Sequence, residues 1–213
     1  MYAECKRTLY SAGYHIYTSI DPDVQKQLQS SVDNALSGYT EKDKNGIYKT
    51  QASGTCIDND TGKVVAIVGG REQKNIGYTL NRAFQSPRQP GSAIKPLLVY
   101  APALEHGWSA GSTVNDSPMS TKDKNRVRNS HGSYSGQISL RRAVQKSSNV
   151  ATMRIYEQLT PKTCLKYLEE MNFKYLTDSD YKYYTTCIGG FTKGTTSEEM
   201  AAGYATLKND GVY

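Results

Sequence analysis

Ser92 and Lys95 have the spacing at which a serine hydroxyl and a lysine amine could cooperate in nucleophilic catalysis. A Pro-Gly turn precedes them, and the apolar run at residues 97–104 predicts a buried helix that ends near Gly107. Residues three apart on a helix share a face, so the Lys95 amine could take the proton of Ser92. Ser92 would also cap this helix, whose N-terminus favours the negative charge that then develops.

The spacing by itself is a weak signal. Ser-x-x-Lys occurs twice in the 213 residues, about as often as chance would give it. The second pair, Ser179 and Lys182, lies in a polar, tyrosine-rich stretch with no apolar run behind it. On spacing alone, a capped helix with a solvated lysine is the favoured interpretation of Ser92 and Lys95. The distinction therefore depends on the residues around them.

A second polar motif, Ser-Ser-Asn at residues 147–149, lies between two predicted helices. The first covers residues 137–146 and is capped by Ser139, and the second covers residues 150–159. Serine and asparagine are common helix caps, so the triplet alone could be plain capping. Its place after Ser92, with helices on both sides, favours a functional role.

Residues 82–96, Arg-Ala-Phe-Gln-Ser-Pro-Arg-Gln-Pro-Gly-Ser-Ala-Ile-Lys-Pro, resemble the active-site segment of class A penicillin-binding proteins, the bifunctional peptidoglycan synthases. The triplet resembles the second motif of that family. The resemblance implies that Ser92 is the acylated nucleophile, that Lys95 takes its proton, and that Ser147 relays the proton to the leaving amine. Asn149 would hold Lys95 and the substrate amide. No metal or organic cofactor is implied.

The resemblance extends over most of residues 14–213. It includes Tyr-Thr-Ser-Ile-Asp-Pro at 17–22 and Val-Gly-Gly-Arg at 68–71. The implied fold is α+β, a penicillin-binding/β-lactamase-like transpeptidase fold with a helical subdomain on an antiparallel sheet, truncated before its last strands. Residues 1–20 would be a linker and opening strand after an absent glycosyltransferase domain, and residues 21–213 a partial transpeptidase domain.

The third motif of the family, Lys-Thr-Gly, is absent from this sequence. Residues 193–195 read Lys-Gly-Thr and precede the last predicted helix, whereas the family places its motif after that helix. The strand that carries the motif would supply one of two backbone donors to the oxyanion, and losing such a donor costs about 10²–10³ in rate. We therefore expect a fragment that is a weak or inactive transpeptidase as it stands.

The function implied is a D,D-transpeptidase of peptidoglycan synthesis, which cross-links stem peptides ending in D-Ala-D-Ala. Penicillin and other β-lactams would acylate the same serine. The full-length protein would work at the outer face of the bacterial cell membrane, held there by an absent N-terminal anchor. A D,D-carboxypeptidase or β-lactamase-like hydrolase, a β-lactam-binding sensor and a catalytically incomplete scaffold remain open alternatives.

Other signals in the chain predict its remaining elements. A helix at 22–36 follows the cap Asp21, a hairpin joins strands at 52–58 and 64–70, and a further helix covers 160–176. The last helix begins at a capping box of Thr196 and Glu199, and residues 14–20 are β-prone. Residues 109–136 read as a polar, turn-rich loop.

Composition argues against several other classes of protein. The net charge of +6 comes from scattered residues without a basic block, which indicates a solvated surface and no nucleic-acid partner. The four cysteines lie far apart and at no metal-ligand spacing to the three histidines, so buried free thiols are expected. The sequence contains no apolar run of 18 residues and no signal peptide.

Overall fold

The computed structural model describes residues 2–72, 79–120 and 126–213 of the chain. No helix in these ranges is long and apolar enough to cross a membrane. The α-helices are α1 (Tyr2–Ser11), α2 (Pro22–Ala35), α3 (Arg82–Gln85), α4 (Ala101–Glu105), α5 (Leu140–Gln145), α6 (Asn149–Leu159), α7 (Pro161–Glu170) and α8 (Ser197–Lys208). The strands are β1 (Gly54–Ile57), β2 (Val64–Val68), β3 (Thr113–Asp116), β4 (Met119–Ser120), β5 (Arg126–Val127) and β6 (Gly136–Ser139).

The predicted hairpin forms an antiparallel pair, β1 with β2, in which Gly54 lies opposite Val68. Helix α2 packs against it, and the side chain of Gln25 bonds to β2 as a strand would. Its Nε2 donates to the carbonyl oxygen of Ile67 at 3.0 Å, and its Oε1 accepts from the Ile67 amide at 2.8 Å. Helix α8 packs against β1 from another side. The expected mixture of helices and antiparallel strands is confirmed, with α2 and α8 beginning at their predicted caps.

The segment that bears Ser92 differs from the regular helix predicted for it. Gly91–Ile94 is a 3₁₀ turn, Pro96–Tyr100 is a π-helical turn, and α4 follows. Ser92 lies inside the 3₁₀ turn and does not cap it, so the predicted capping role was wrong. Pro96 has no amide hydrogen to continue an α-helical ladder, and the Lys95 amide therefore bonds to the Ser92 carbonyl in the tighter 3₁₀ pattern.

This segment nevertheless lies in the centre of the helical subdomain. Ile94, Leu97, Leu98 and Val99 have no exposed surface and pack with apolar side chains of α6 and α7. Full burial of a side chain of this size contributes about 1.5–3 kcal/mol to the free energy of folding. Packing of these side chains in the core therefore fixes the backbone of the segment that contains Ser92 and Lys95.

The stretch predicted as a loop at residues 109–136 contains strands. β3 pairs antiparallel with β6, and β4 pairs with β5. Ser139 caps α5 as predicted, but residues 137–139 belong to β6 and not to that helix. Two- and four-residue strands give too short an apolar alternation to read from sequence, and their pairing is set by the helices that they contact.

Two other boundaries also differ from the prediction. Residues 13–18 form no strand, since they lie exposed with no neighbouring strand to pair with. The Ser19 hydroxyl and the Asp21 amide, which follow this stretch, bond to carbonyl oxygens of β2. Helix α7 ends at Glu170, six residues early, because Asn172 has a left-handed backbone with φ of 54°.

Cys164 and Cys187 are buried free thiols as expected, whereas the free Cys5 is exposed.

Candidate active site

Lys95 is the centre of the site, and its side chain is only 1 % exposed. Its Nζ donates three hydrogen bonds, all to the second motif. The acceptors are the Ser147 carbonyl oxygen at 2.7 Å, the Ser147 Oγ at 3.1 Å and the Asn149 Oδ1 at 2.7 Å. Three bonds are as many as an ammonium group can donate. The Lys95 amine thus contacts Ser147 and Asn149, which lie 52 and 54 positions later in the chain.

Ser147 reaches this amine through an uncommon backbone conformation. It lies between α5 and α6 with φ of 49°, in the left-handed region that residues with a Cβ seldom adopt. The following residue, Ser148, caps α6 by accepting from the Ala151 amide at 2.9 Å. A sharp turn directly before a helix presents both the carbonyl and the hydroxyl of Ser147 to Lys95. Strain of this kind persists only where surrounding contacts hold it.

Asn149 is oriented by bonds at both ends of its amide group. Its Nδ2 donates to the carbonyl oxygen of Arg128 at 2.8 Å, which leaves Oδ1 to face Lys95. The reverse orientation would place an NH₂ group against the lysine amine. The hydrogen-bond network therefore assigns the amide oxygen to the lysine.

Burial lowers the pKa of Lys95 from its usual 10.5 to about 8, because the charged form loses its hydration. The neighbouring Cys187 opposes this shift weakly. An amine with a pKa near 8 has a substantial neutral fraction at ordinary pH and can accept a proton. Burial thus gives Lys95 a pKa at which its amine can act as a base.

Ser92 lies one turn before Lys95 and is exposed. In the part of the chain that the structure describes, no hydrogen bond joins the Ser92 hydroxyl to the Lys95 amine; the two are linked through the 3₁₀ turn. The structure thus brings Lys95, Ser147 and Asn149 into contact and leaves Ser92 open to a reactant beside them. Among the described residues, no group of three His, Cys, Asp or Glu side chains is placed to hold a metal ion.

A loop from the C-terminal part of the chain holds the backbone that leads into Ser92. Arg88 and Thr195 exchange two backbone hydrogen bonds of 2.8 Å, in the manner of paired strands. The Gln89 side chain bonds to both backbone groups of Phe191, accepting from its amide at 2.7 Å and donating to its carbonyl oxygen. The residues directly before Ser92 are therefore anchored to residues that lie more than a hundred positions later in the sequence.

Gly189 packs against Gly91 more closely than any other residue could. A Cβ at Gly189 would lie 2.2 Å from the Gly91 carbonyl oxygen, and its φ is 96°. Gly189→Ala is therefore expected to destabilise the fold by about 1–3 kcal/mol and to slow acylation of Ser92, because Gly91 must move. Thermal unfolding and the rate of labelling by a fluorescent penicillin measure the two effects.

The matched control for this variant is Gly211→Ala. Gly211 also has a left-handed backbone, with φ of 87°, but a Cβ there would meet nothing within 4 Å. The Gly211→Ala variant has the backbone strain but no close contact of the new Cβ with another residue. We therefore expect it to lose some stability and to keep the labelling rate of the parent chain. Equal labelling rates for the two variants would show that Gly189 does not position Ser92.

Sequence reasoning missed several residues that build this site. Asp116 and Asn129 lie in the stretch predicted as a loop, yet both are buried directly behind the second motif. Asparagine and aspartate are frequent in loops, so their types gave no signal. Gln89 was noted only as part of a resembling segment, and its bond to Phe191 joins positions that no local pattern connects.

Comparison with known proteins identifies the family to which this fold belongs. Residues 52–213 match the family model of the penicillin binding protein transpeptidase domain. Penicillin-binding protein 1A of Clostridium perfringens is 34 % identical over 98 % of this chain and 33 % of its own length. Penicillin-binding protein 4 of Bacillus subtilis is 34 % identical over 97 % of this chain and 31 % of its own length.

Solved structures of penicillin-binding proteins share the fold. PonA1 of Mycobacterium tuberculosis, solved in complex with penicillin V, superposes with a TM-score of 0.76 at 24 % identity, over 98 % of this chain and 55 % of that one. Penicillin-binding protein 1A of Haemophilus influenzae gives a TM-score of 0.65 at 28 % identity, over 79 % of this chain and 26 % of that one.

The fold and the family match together define a penicillin-binding transpeptidase domain. The chain belongs to the penicillin-binding protein transpeptidase family, as the transpeptidase domain of a class A penicillin-binding protein. It spans about one third of the length of the curated relatives that it matches.

Proposed function

We propose that this chain carries the acyl-serine chemistry of a D,D-transpeptidase that cross-links peptidoglycan stem peptides. The main support for the proposal is a pair of hydrogen bonds made by the buried Lys95 amine. One goes to the Ser147 hydroxyl and the other to the Asn149 side-chain oxygen. Ser92 stands exposed one turn before that lysine, on a backbone fixed by the core. Together these features provide a nucleophile, a base, a proton relay and an amide-binding group.

In the proposed reaction, the Ser92 Oγ forms a bond to the carbonyl carbon of the penultimate D-alanine, and its proton passes to neutral Lys95. The tetrahedral species collapses with cleavage of the C–N bond. Ser147, 3.1 Å from the Lys95 amine, relays the proton to the leaving nitrogen of the last D-alanine. An amine of a second stem peptide then attacks the acyl-serine, and the Ser92 oxygen regains a proton. Kinetics of this kind are ping-pong.

Asn149 has two tasks in this proposal. Its Oδ1 holds Lys95 beside Ser147, as the 2.7 Å hydrogen bond indicates. In the proposed reaction its amide group also binds the backbone of the donor peptide. Because it faces both lysine and substrate, a change at Asn149 should affect substrate capture and acylation together.

Penicillin and other β-lactams would enter the same site. Their strained amide would acylate Ser92 by the route of the stem peptide, with the ring nitrogen as a leaving group that remains attached. The complex of PonA1 with penicillin V, which shares this fold, supports the idea. We further propose that the whole protein acts on the outer face of the bacterial cell membrane, with residues 1–20 joining this domain to a glycosyltransferase domain.

A thioester ending in D-alanine tests the transferase assignment against the hydrolases. The chain is incubated with the thioester and rising concentrations of a D-amino acid, and amide and acid products are separated by chromatography. Because the sequence lacks Lys-Thr-Gly, we expect slow consumption of the thioester, with an amide share that rises with the amine. Hydrolysis alone would favour a carboxypeptidase or β-lactamase-like enzyme. Stable acylation without release would favour a β-lactam sensor, and absence of any acylation would identify an incomplete cleft.

A further inference from the structure

A buried polar cluster lies directly behind the second motif, and the proposed reaction does not use it. Its members are Asp116 at the end of β3, Asn129 after β5 and Ser148 before α6, with exposures of 0 %, 3 % and 0 %. Burying polar groups costs free energy unless each finds a partner. The partners of this cluster include the backbone of the second motif itself.

Asn129 uses its whole amide group. Its Oδ1 accepts from the amides of Asn149 at 2.9 Å and Val150 at 3.2 Å, the first two residues of α6. Its Nδ2 donates to Asp116 Oδ1 at 2.8 Å and to the Ser133 carbonyl oxygen at 3.0 Å. A side chain from a distant loop thus occupies the N-terminus of the helix, where free amides need acceptors.

Asp116 completes the cluster from the other side. Its carboxylate accepts from the Ser148 Oγ at 2.7 Å and from the Ser135 amide at 3.0 Å, in addition to Asn129. Ser148 in turn accepts from the Ala151 amide at 2.9 Å. The carboxylate therefore orients both of the groups that cap α6.

The same loop controls the orientation of the Asn149 side chain. Arg128, adjacent to Asn129, accepts from Asn149 Nδ2 at 2.8 Å through its carbonyl oxygen. Asn149 is consequently held at its backbone amide by Asn129 and at its side-chain amide by Arg128. Both constraints point its Oδ1 at Lys95, 2.7 Å away. Displacing Asn129 would release both constraints at once.

We propose that Asp116 and Asn129 are positioning residues for acyl transfer, which fix Asn149 and the strained Ser147 turn so that Lys95 is held ready for reaction. This inference rests on the proposed function, because it assigns these residues a role in that reaction. Neither residue touches the substrate. Their effect passes through the start of α6, to which Asn129 is bonded directly and Asp116 through Ser148.

The test is Asn129→Ala, with Asn115→Ala as the matched control. Asn115 belongs to the same strand as Asp116 but is only partly buried, and it lies in an outer groove with Trp108 and Arg154. Stopped-flow labelling by a reporter penicillin between pH 6 and 10 gives the acylation rate and its pH midpoint. We expect Asn129→Ala to acylate about 100-fold more slowly and the control to match the parent chain.

The pH midpoint separates positioning from a general loss of stability. Without Asn149 held against it, the Lys95 ammonium loses an acceptor, so the midpoint should move to lower pH. Cys187 is the titratable neighbour that acts on the pKa of Lys95. Burial raises the pKa of its thiol, so the thiol stays neutral between pH 6 and 10 and does not change the midpoint. An unchanged midpoint and an acylation rate within about twofold of the parent's would overturn the proposal.

A second variant and a second measurement keep the test decisive. Should Asn129→Ala fail to fold, Asp116→Asn preserves shape while removing one acceptor, and it should slow acylation about tenfold.

The ¹³Cε resonance of Lys95, assigned by its loss in Lys95→Met, reports the lysine titration without any acylation. An unreactive parent chain would count against the proposed function. A lysine titration identical in parent and Asp116→Asn would count against the positioning cluster.

Discussion

Ser92→Ala is expected to abolish covalent labelling of the chain by penicillin. The substitution removes the only protein atom that bonds to the acyl group in the proposed reaction, while Lys95 and the second motif keep their contacts. Because Ser92 is exposed and its hydroxyl forms no side-chain hydrogen bond with the described residues, stability should change by no more than about 0.5 kcal/mol. Intact-mass spectrometry after incubation with the drug measures the adduct directly.

Ser179→Ala is the matched control, since Ser179 begins the second Ser-x-x-Lys pair. Its pair lies in the turn-rich segment before the 3₁₀ helix Tyr184–Ile188. The control should acquire one adduct at the parent rate. Labelling that persists in Ser92→Ala would mean that another residue is the nucleophile, and it would refute the proposed reaction.

Lys95→Met is expected to reduce the acylation rate by about 10²–10⁴-fold, the usual contribution of a general base. In the parent chain the rate should rise with pH and level off above about 8, where the Lys95 amine becomes neutral. Methionine fills a similar volume but accepts no proton, so the residual rate of the variant should lack this rise. Stopped-flow labelling over pH 6–10 measures both curves.

The same variant tests the lysine environment through protein stability. The pKa of Lys95 is lowered to about 8 in the folded chain, whereas in the unfolded chain it lies near 10.5. Between these values the unfolded state binds more protons, so the free energy of unfolding should rise with pH. The difference between parent and Lys95→Met, measured by urea titration, isolates this rise. A difference that is flat with pH would mean that Lys95 is not desolvated.

Local physics in the sequence determined much of the fold. The starts of α2, α6, α7 and α8 follow from cap residues and first-turn prolines, which act over four residues. The β1–β2 hairpin follows from β-branched runs joined by a short turn. The same reading placed Ser92, Lys95, Ser147 and Asn149 as candidates, although their roles come from the family resemblance and stay predictions until tested.

Tertiary structure alone decided what surrounds those candidates. The tertiary structure buried Lys95, which lowers its pKa, and it brought Asp116 and Asn129 behind the second motif. The 3₁₀ and π turns at Ser92 have a local cause instead, because prolines at 96 and 102 lack the amide hydrogens of a regular ladder. Desolvation and hydrogen bonds across dozens of positions depend on the packed chain. No local pattern of residues encodes them.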